Sequence, residues 1–198
     1  EANLAHDDLS DSTLTAESGG DGKGAIAFYG ADLANADLSG SEIAAKSVEY
    51  AGSIYFNDAD LANADLSGTN ISAEGGAYAG IFFEGAELPN ANMSGSTLAA
   101  EGGAFAGGIF FEGADLANAD LSGSNISAEG GAYSGIFFND ADLTNADLSG
   151  SNIATEGGMY GAIKFDEADL ANADLSGSTL SAEGADEGEI DFSEANLA

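Results

Sequence analysis

The chain has 198 residues, 29 of them glycine and none cysteine, and carries 35 acidic against 3 basic residues for a formal net charge of -32. That balance disfavours nucleic acid and anionic membrane as partners and leaves cations or basic proteins, while the missing cysteine removes disulfides and thiolate metal sites. With 44% hydrophobic residues in regular positions the chain is not composed like a disordered one, and no apolar run approaches the roughly 18 residues of a membrane-spanning helix, so membrane insertion is not expected.

Read from the first residue, the sequence repeats with a period of 27 to 29 residues, the units opening at Ala2, Ala31, Ala59, Ala86, Ala114, Ala141 and Ala168, with an eighth at Ala195. A fixed period of this length predicts a solenoid in which each unit buries its apolar face against its neighbours. Residues 1–198 are expected to form a single solenoid domain. Glu194-Ala195-Asn196-Leu197-Ala198 repeats Glu1-Ala2-Asn3-Leu4-Ala5, so the domain is expected to continue into another copy or a longer chain at both ends. The opening on Glu suits a mature or excised fragment.

Within the unit from Ala114, Phe111, Leu116, Leu121 and Ile126 fall five residues apart. This is neither the helical period nor simple strand alternation, and it suits short strands separated by turns. Ala114-Asp115-Leu116-Ala117-Asn118 followed by Ala119-Asp120-Leu121-Ser122-Gly123 resembles the A-(D/N)-L-x-x unit of the pentapeptide-repeat family. The resemblance implies an all-β fold, a right-handed β-helix (β-solenoid), here of about seven coils, with the Leu and the preceding Ala pointing inward. Ile126 and Phe138 stand 12 residues apart, so the unit is not a multiple of five. Either an outward loop interrupts a four-sided coil or the coil has another cross-section. The Gly-rich segment Glu129-Gly130-Gly131-Ala132-Tyr133, where unit length varies, reads as a loop or corner on one side of the solenoid. Pro89 stands where other units have Ala or Thr, a turn position that tolerates it.

Stacking of coils at about 4.8 Å turns equivalent residues into columns. The predicted core columns run through Leu33 and Leu116, Leu38 and Leu121, Ile43 and Ile126, Ile54 and Ile136, and Phe56 and Phe138. Asn35, Asn63, Asn90, Asn118, Asn145 and Asn172 read as an asparagine ladder, its amides bonded along the stack and to turn backbone. Asp32, Asp60, Asp115, Asp142 and Asp169 stack on one face. Such a column reads either as a solvated, aggregation-resistant surface or as a site where calcium, which selects carboxylate and carbonyl oxygens, bridges rungs. Lys46 is expected to relieve repulsion between Glu17 and Glu74.

Alternation along the Ile-x-Phe strand sends Tyr55, Phe82, Phe110 and Phe137 outward. They form a lateral contact or ligand platform, or else the loop aromatics Tyr50, Tyr78, Phe105, Tyr133 and Tyr160 fold back over them.

No catalytic site is expected. The single His6 takes a ladder position, no phosphate-binding loop with its Lys is present, and the paired carboxylates recur in every unit where an enzyme needs one distinctive site. No cofactor is called for beyond possible calcium. The leading expectation is a structural segment of an extracellular filament or surface-adhesin stalk, extended by head-to-tail stacking of copies, with lateral bundling through the aromatic strip. An acidic DNA mimic that binds a topoisomerase, as some pentapeptide-repeat proteins do, and an ice-binding solenoid are the alternatives.

Overall fold

The computed structural model describes residues 2–19 and 22–198. Its strands alternate between two parallel sheets. The first holds β1 (Thr13–Ser18), β3 (Glu42–Ser47), β5 (Asn70–Gly75), β7 (Thr97–Gly102), β9 (Asn125–Gly130), β11 (Asn152–Gly157) and β13 (Thr179–Gly184), in that order. The second holds β2 (Gly24–Ala27), β4 (Ala51–Tyr55), β6 (Tyr78–Phe82), β8 (Ala106–Phe110), β10 (Tyr133–Phe137), β12 (Tyr160–Lys164) and β14 (Glu187–Asp191), again coil upon coil. Each sheet is 7-stranded, so the chain is the β-helix of about seven coils that the resemblance implied.

The rest of each coil is a run of short faces. Isolated parallel bridges such as Asp115↔Asp142 and Asp120↔Asp147 mark two of them. They are separated by corners in the left-handed backbone region, at Gly113 (φ 65), Asn118 (φ 59) and Gly123 (φ 63). The five-residue period is the distance from one corner to the next, and each face turns one large side chain inward.

Those side chains form the core. Leu61, Leu66, Ile71, Ile81 and Phe83 are fully buried, as are their equivalents in neighbouring coils. The inner phenylalanines stack face to face from Phe28 through Phe56, Phe83, Phe111, Phe138 and Phe165 to Phe192, with centroid separations of 4.7 to 4.9 Å. Their spacing is the rise of the coil. Burial of each such side chain contributes roughly 1.5 to 3 kcal/mol.

Among the described residues the two strands of a coil are joined without an outward loop; a tight turn such as Gly131-Ala132 joins β9 to β10. The coil therefore has the other cross-section, a wedge whose two sheets converge. Inward residues shrink toward the apex, from Ile71 through Ala73 to Gly75. At Gly107 a β-carbon would stand 2.5 Å from the Ala100 carbonyl oxygen and closer still to that of Glu129. Glycine lets the two backbones approach that closely on this coil, while the adjoining coils hold Ala79 and Ser134 in the same column.

Candidate functional site

The outward face of the second sheet carries three columns. Register places Tyr78, Ala106, Tyr133 and Tyr160 in the first, Gly80, Gly108, Gly135 and Ala162 in the second, and Tyr55, Phe82, Phe110, Phe137 and Lys164 in the third. Strand alternation thus aims the predicted strip outward, and the rings form a continuous stack. Tyr55–Phe82, Phe82–Phe110 and Phe110–Phe137 have centroids 5.0, 4.9 and 5.3 Å apart. Tyr29, which sequence columns did not place, caps the stack 4.9 Å from Tyr55.

The strip is half-buried, and the loop aromatics do not cover it. Tyr78, Phe105, Tyr133 and Tyr160 point into solvent, Tyr133 with 54% of its surface exposed. The cover comes from the glycine column: the Phe110 ring leans over Gly108, its Cε2 and Cζ atoms 2.6 Å from where a β-carbon would be. Between the two aromatic columns runs an apolar groove of about 390 Å³.

The tyrosine wall of the groove is interrupted at Ala106 because of a length irregularity. The unit from Ala86 is one residue longer than the unit from Ala114, which moves Phe105 out of the column and brings Ala106 into register with Tyr133. Stacked pairs join Tyr78 to Phe105 and Tyr133 to Tyr160, at 5.3 and 5.2 Å, on either side of the gap.

Carboxylates edge the phenylalanine wall. Glu84 and Glu112 follow Phe82 and Phe110 by two residues, on adjacent coils. Burial, then the charge of Glu84 and a hydrogen bond to it, and finally the charge of Asp140, push the Glu112 carboxyl above its ordinary 4.5. The Tyr29 phenol is also pushed up, by burial first, then by Tyr55 and Glu84. At the far end Lys164 continues the phenylalanine column and pairs with Glu189 and with Asp191 at 3.4 Å.

The acidic column has a local task. Asp60, Asp115, Asp142 and Asp169 each accept, through Oδ1, the backbone N–H two residues on, at 2.9 to 3.0 Å, and Asp32 does so at 3.3 Å. These are Asx turns that start each corner. The coil with Pro89, which lacks that N–H, carries Glu87 in this position. Among the described residues no group of three or more acidic or histidine side chains converges as a metal ion would require. The column places one carboxylate per rung and spends it on the turn.

The asparagine column is corrected in part. Asn35, Asn63, Asn90, Asn118, Asn145 and Asn172 do stack, with φ from 57 to 59° and exposed side chains. One amide–amide bond joins the column among the described residues, Asn145 Nδ2 to Asn118 Oδ1 at 3.3 Å. The residue type follows from the left-handed corner, which asparagine tolerates best among residues with a β-carbon. His6 takes the same corner with φ 64. Lys46 lies between Glu17 and Glu74 and forms an ion pair with Glu74.

A family model, Pentapeptide repeats (8 copies), matches residues 102–128 and 130–154. Among solved structures the chain is similar to Rfr23, a pentapeptide repeat protein of the cyanobacterium Cyanothece 51142, with 18% identity over 99% of this chain and 91% of that one and a TM-score of 0.26. It is similar also to HetL of Nostoc sp. strain PCC 7120, a pentapeptide repeat protein involved in heterocyst differentiation regulation, with 18% identity, 99% and 89% coverage and a TM-score of 0.19. A third likeness is QnrB1, a plasmid-mediated fluoroquinolone resistance protein, with 21% identity, 90% and 89% coverage and a TM-score of 0.27. No curated protein matches in sequence.

Proposed function

We propose that this pentapeptide-repeat-like β-helix is a structural element, an acidic rod that extends by adding coils at its open ends, as a segment of an extracellular filament or surface-adhesin stalk. The observation that carries the reading is the uniform stacking of the coils: both sheets run coil upon coil in one parallel register, and Ile54, Ile81, Ile109, Ile136 and Ile163 are fully buried only because each coil is covered by the next. Another copy, or further coils of the same kind, would continue each column and pair the outer edges of β1, β2, β13 and β14.

The side walls suit such a rod. Their carboxylates keep it in solution in saline and oppose unspecific lateral association. Electron microscopy of the native chain in saline tests the reading. Rods longer than the roughly 34 Å of seven coils support it, and isolated short particles at every concentration overturn it.

A second reading, the acidic DNA mimic, draws on the two carboxylate columns that run along adjacent short faces, through Asp115 and Asp120. Binding to a topoisomerase that weakens steeply with salt would favour it, and the end coils would then remain unpaired.

A further inference from the structure

We infer that the groove between the two aromatic columns is a binding site for an elongated, flat, cationic aromatic molecule, seated at the gap above Ala106. This goes beyond the rod's end-to-end growth and holds whether or not copies stack.

Shape, wall chemistry and charge point to the same ligand. A volume of about 390 Å³ falls within the range of about 300 to 1,000 Å³ typical of small-molecule sites. The floor is the backbone of Gly80, Gly108 and Gly135, onto which the phenylalanine rings lean, so no side chain of the floor itself projects. The phenylalanine wall stacks ring on ring along the rod, which turns ring edges toward the groove, as the approach of Phe110 to Gly108 records. Ring edges carry the positive rim of the aromatic quadrupole and favour the face of another aromatic ring. On the opposite wall, Tyr78 and Tyr133 stand two coils apart with Ala106 between them. Phe105 stacks on Tyr78 outside that column, so at Ala106 the groove wall presents a methyl group where its neighbours present rings, and a planar group can lie against it.

Charge selects among flat molecules. The far side of the phenylalanine wall carries Glu84 and Glu112 on adjacent rungs, two residues beyond Phe82 and Phe110 and outside the groove's own lining, and the chain as a whole carries -32. The nearest cation, Lys164, is already engaged with Glu189 and Asp191. A positive group beside Glu84 and Glu112 relieves their mutual repulsion, whereas an anionic ligand meets only like charge. A second copy of the chain is a poor occupant for the same reason, since two surfaces of that charge would have to meet side by side.

The test is a fluorescence titration of the full chain with thioflavin T, a flat cationic dye, against 8-anilinonaphthalene-1-sulfonate, an anionic one, in about 0.1 M salt, where the Debye length is about 10 Å. Saturable binding of thioflavin T in preference to the anionic dye is expected. Ala106→Tyr, which places a ring there as in Tyr78 and Tyr133, should weaken the cationic dye by about tenfold or more, the loss of a stacked site. Glu84→Gln with Glu112→Gln should weaken it by about threefold and more so at low salt. Phe110→Ser removes a half-buried outward ring and serves as the second variant if Ala106→Tyr fails to fold; circular dichroism reports folding in each case. Unchanged affinity in the folded variants, equal binding of the anionic dye, or sedimentation as a side-by-side dimer that excludes both dyes would overturn the assignment.

Discussion

The ring of Phe110 rests on the backbone of Gly108, its Cε2 and Cζ atoms 2.6 Å from the place a β-carbon would take. The preceding residue, Gly107, faces the opposite way and meets backbone, the carbonyl oxygens of Ala100 and Glu129. Two adjacent glycines thus serve different ends, one making room for a side chain and the other for a converging sheet.

Their substitutions should separate accordingly. Gly108→Ala displaces a ring that can swing outward and should cost about 1 kcal/mol, while Gly107→Ala forces two backbones apart and should cost about 3 kcal/mol or more. Urea unfolding midpoints check the order. Equal losses would mean that the sheets do not touch at the wedge apex.

At Asn118 the left-handed corner and the amide ladder make opposite forecasts for glycine. With φ of 59°, Asn118→Gly should be nearly neutral, and Asn118→Ala should cost about 1 kcal/mol. Thermal unfolding of both variants decides the matter. A ladder dependent on amides would show comparable losses for the two.

The Asx turns fix what the acidic columns contribute. Asn92 stands in the second acidic column and accepts the Ser94 N–H at 3.1 Å, as Asp120 accepts that of Ser122 at 2.9 Å. Asp120→Asn should therefore keep the turn and relieve like-charge repulsion, leaving stability unchanged or raised, whereas Asp120→Ala should lose about 1 kcal/mol. Calcium and sodium at matched ionic strength should shift the melting temperature equally, because the carboxylates act singly in the turns. A rise specific to calcium would contradict this.

Stability should pass through a maximum on acidification. The folded chain holds a proton on Glu112 more tightly than the unfolded chain, since burial and then Glu84 push that carboxyl up from 4.5. Between 4.5 and the raised value, stability increases as pH falls. The carboxyls of Asp8, Asp174 and Asp191 behave in the opposite sense. Hydrogen bonds from Ser10, Ser176 and Ser193 hold them below 3.8, so their contribution is present above 3.8 and is lost as pH falls through their folded values. Melting curves from pH 7 downward should rise and then fall, and Glu112→Gln should flatten the rise. A monotonic fall would contradict the placement of Glu112 beside Glu84.

Much of this fold was legible because each large apolar side chain occupies one face of a coil and each left-handed corner admits few residue types. Leu116, Leu121 and Ile126 mark the faces directly, and Asn118 and Gly123 mark the corners. The wedge was not legible. Glycine serves both positive φ and close approach, so Gly130 could be read as a corner when its place is at the apex, where a β-carbon would meet the Tyr133 carbonyl. The outward strip followed from alternation at Tyr55, Phe82, Phe110 and Phe137. The groove beside it needed the strand register, because the extra residue before Phe111 decides whether Phe105 or Ala106 lies opposite Tyr133. Glu84 and Glu112 escaped notice since Asn57 and Asn139 occupy their column in the flanking coils. The pattern Tyr-x-Gly-x-Phe in β10 was the available signal for the groove.

Sedimentation velocity of the full chain across a wide concentration range, at low and at high salt, tests the open-ended rod most directly. End-to-end addition must overcome the repulsion of two chains of net charge -32, so mass should climb with concentration and climb more steeply once salt screens that charge. Ile190→Glu, which places a carboxylate on the open core column, should abolish the increase. A single species of 19.6 kDa at every concentration and salt would contradict the account.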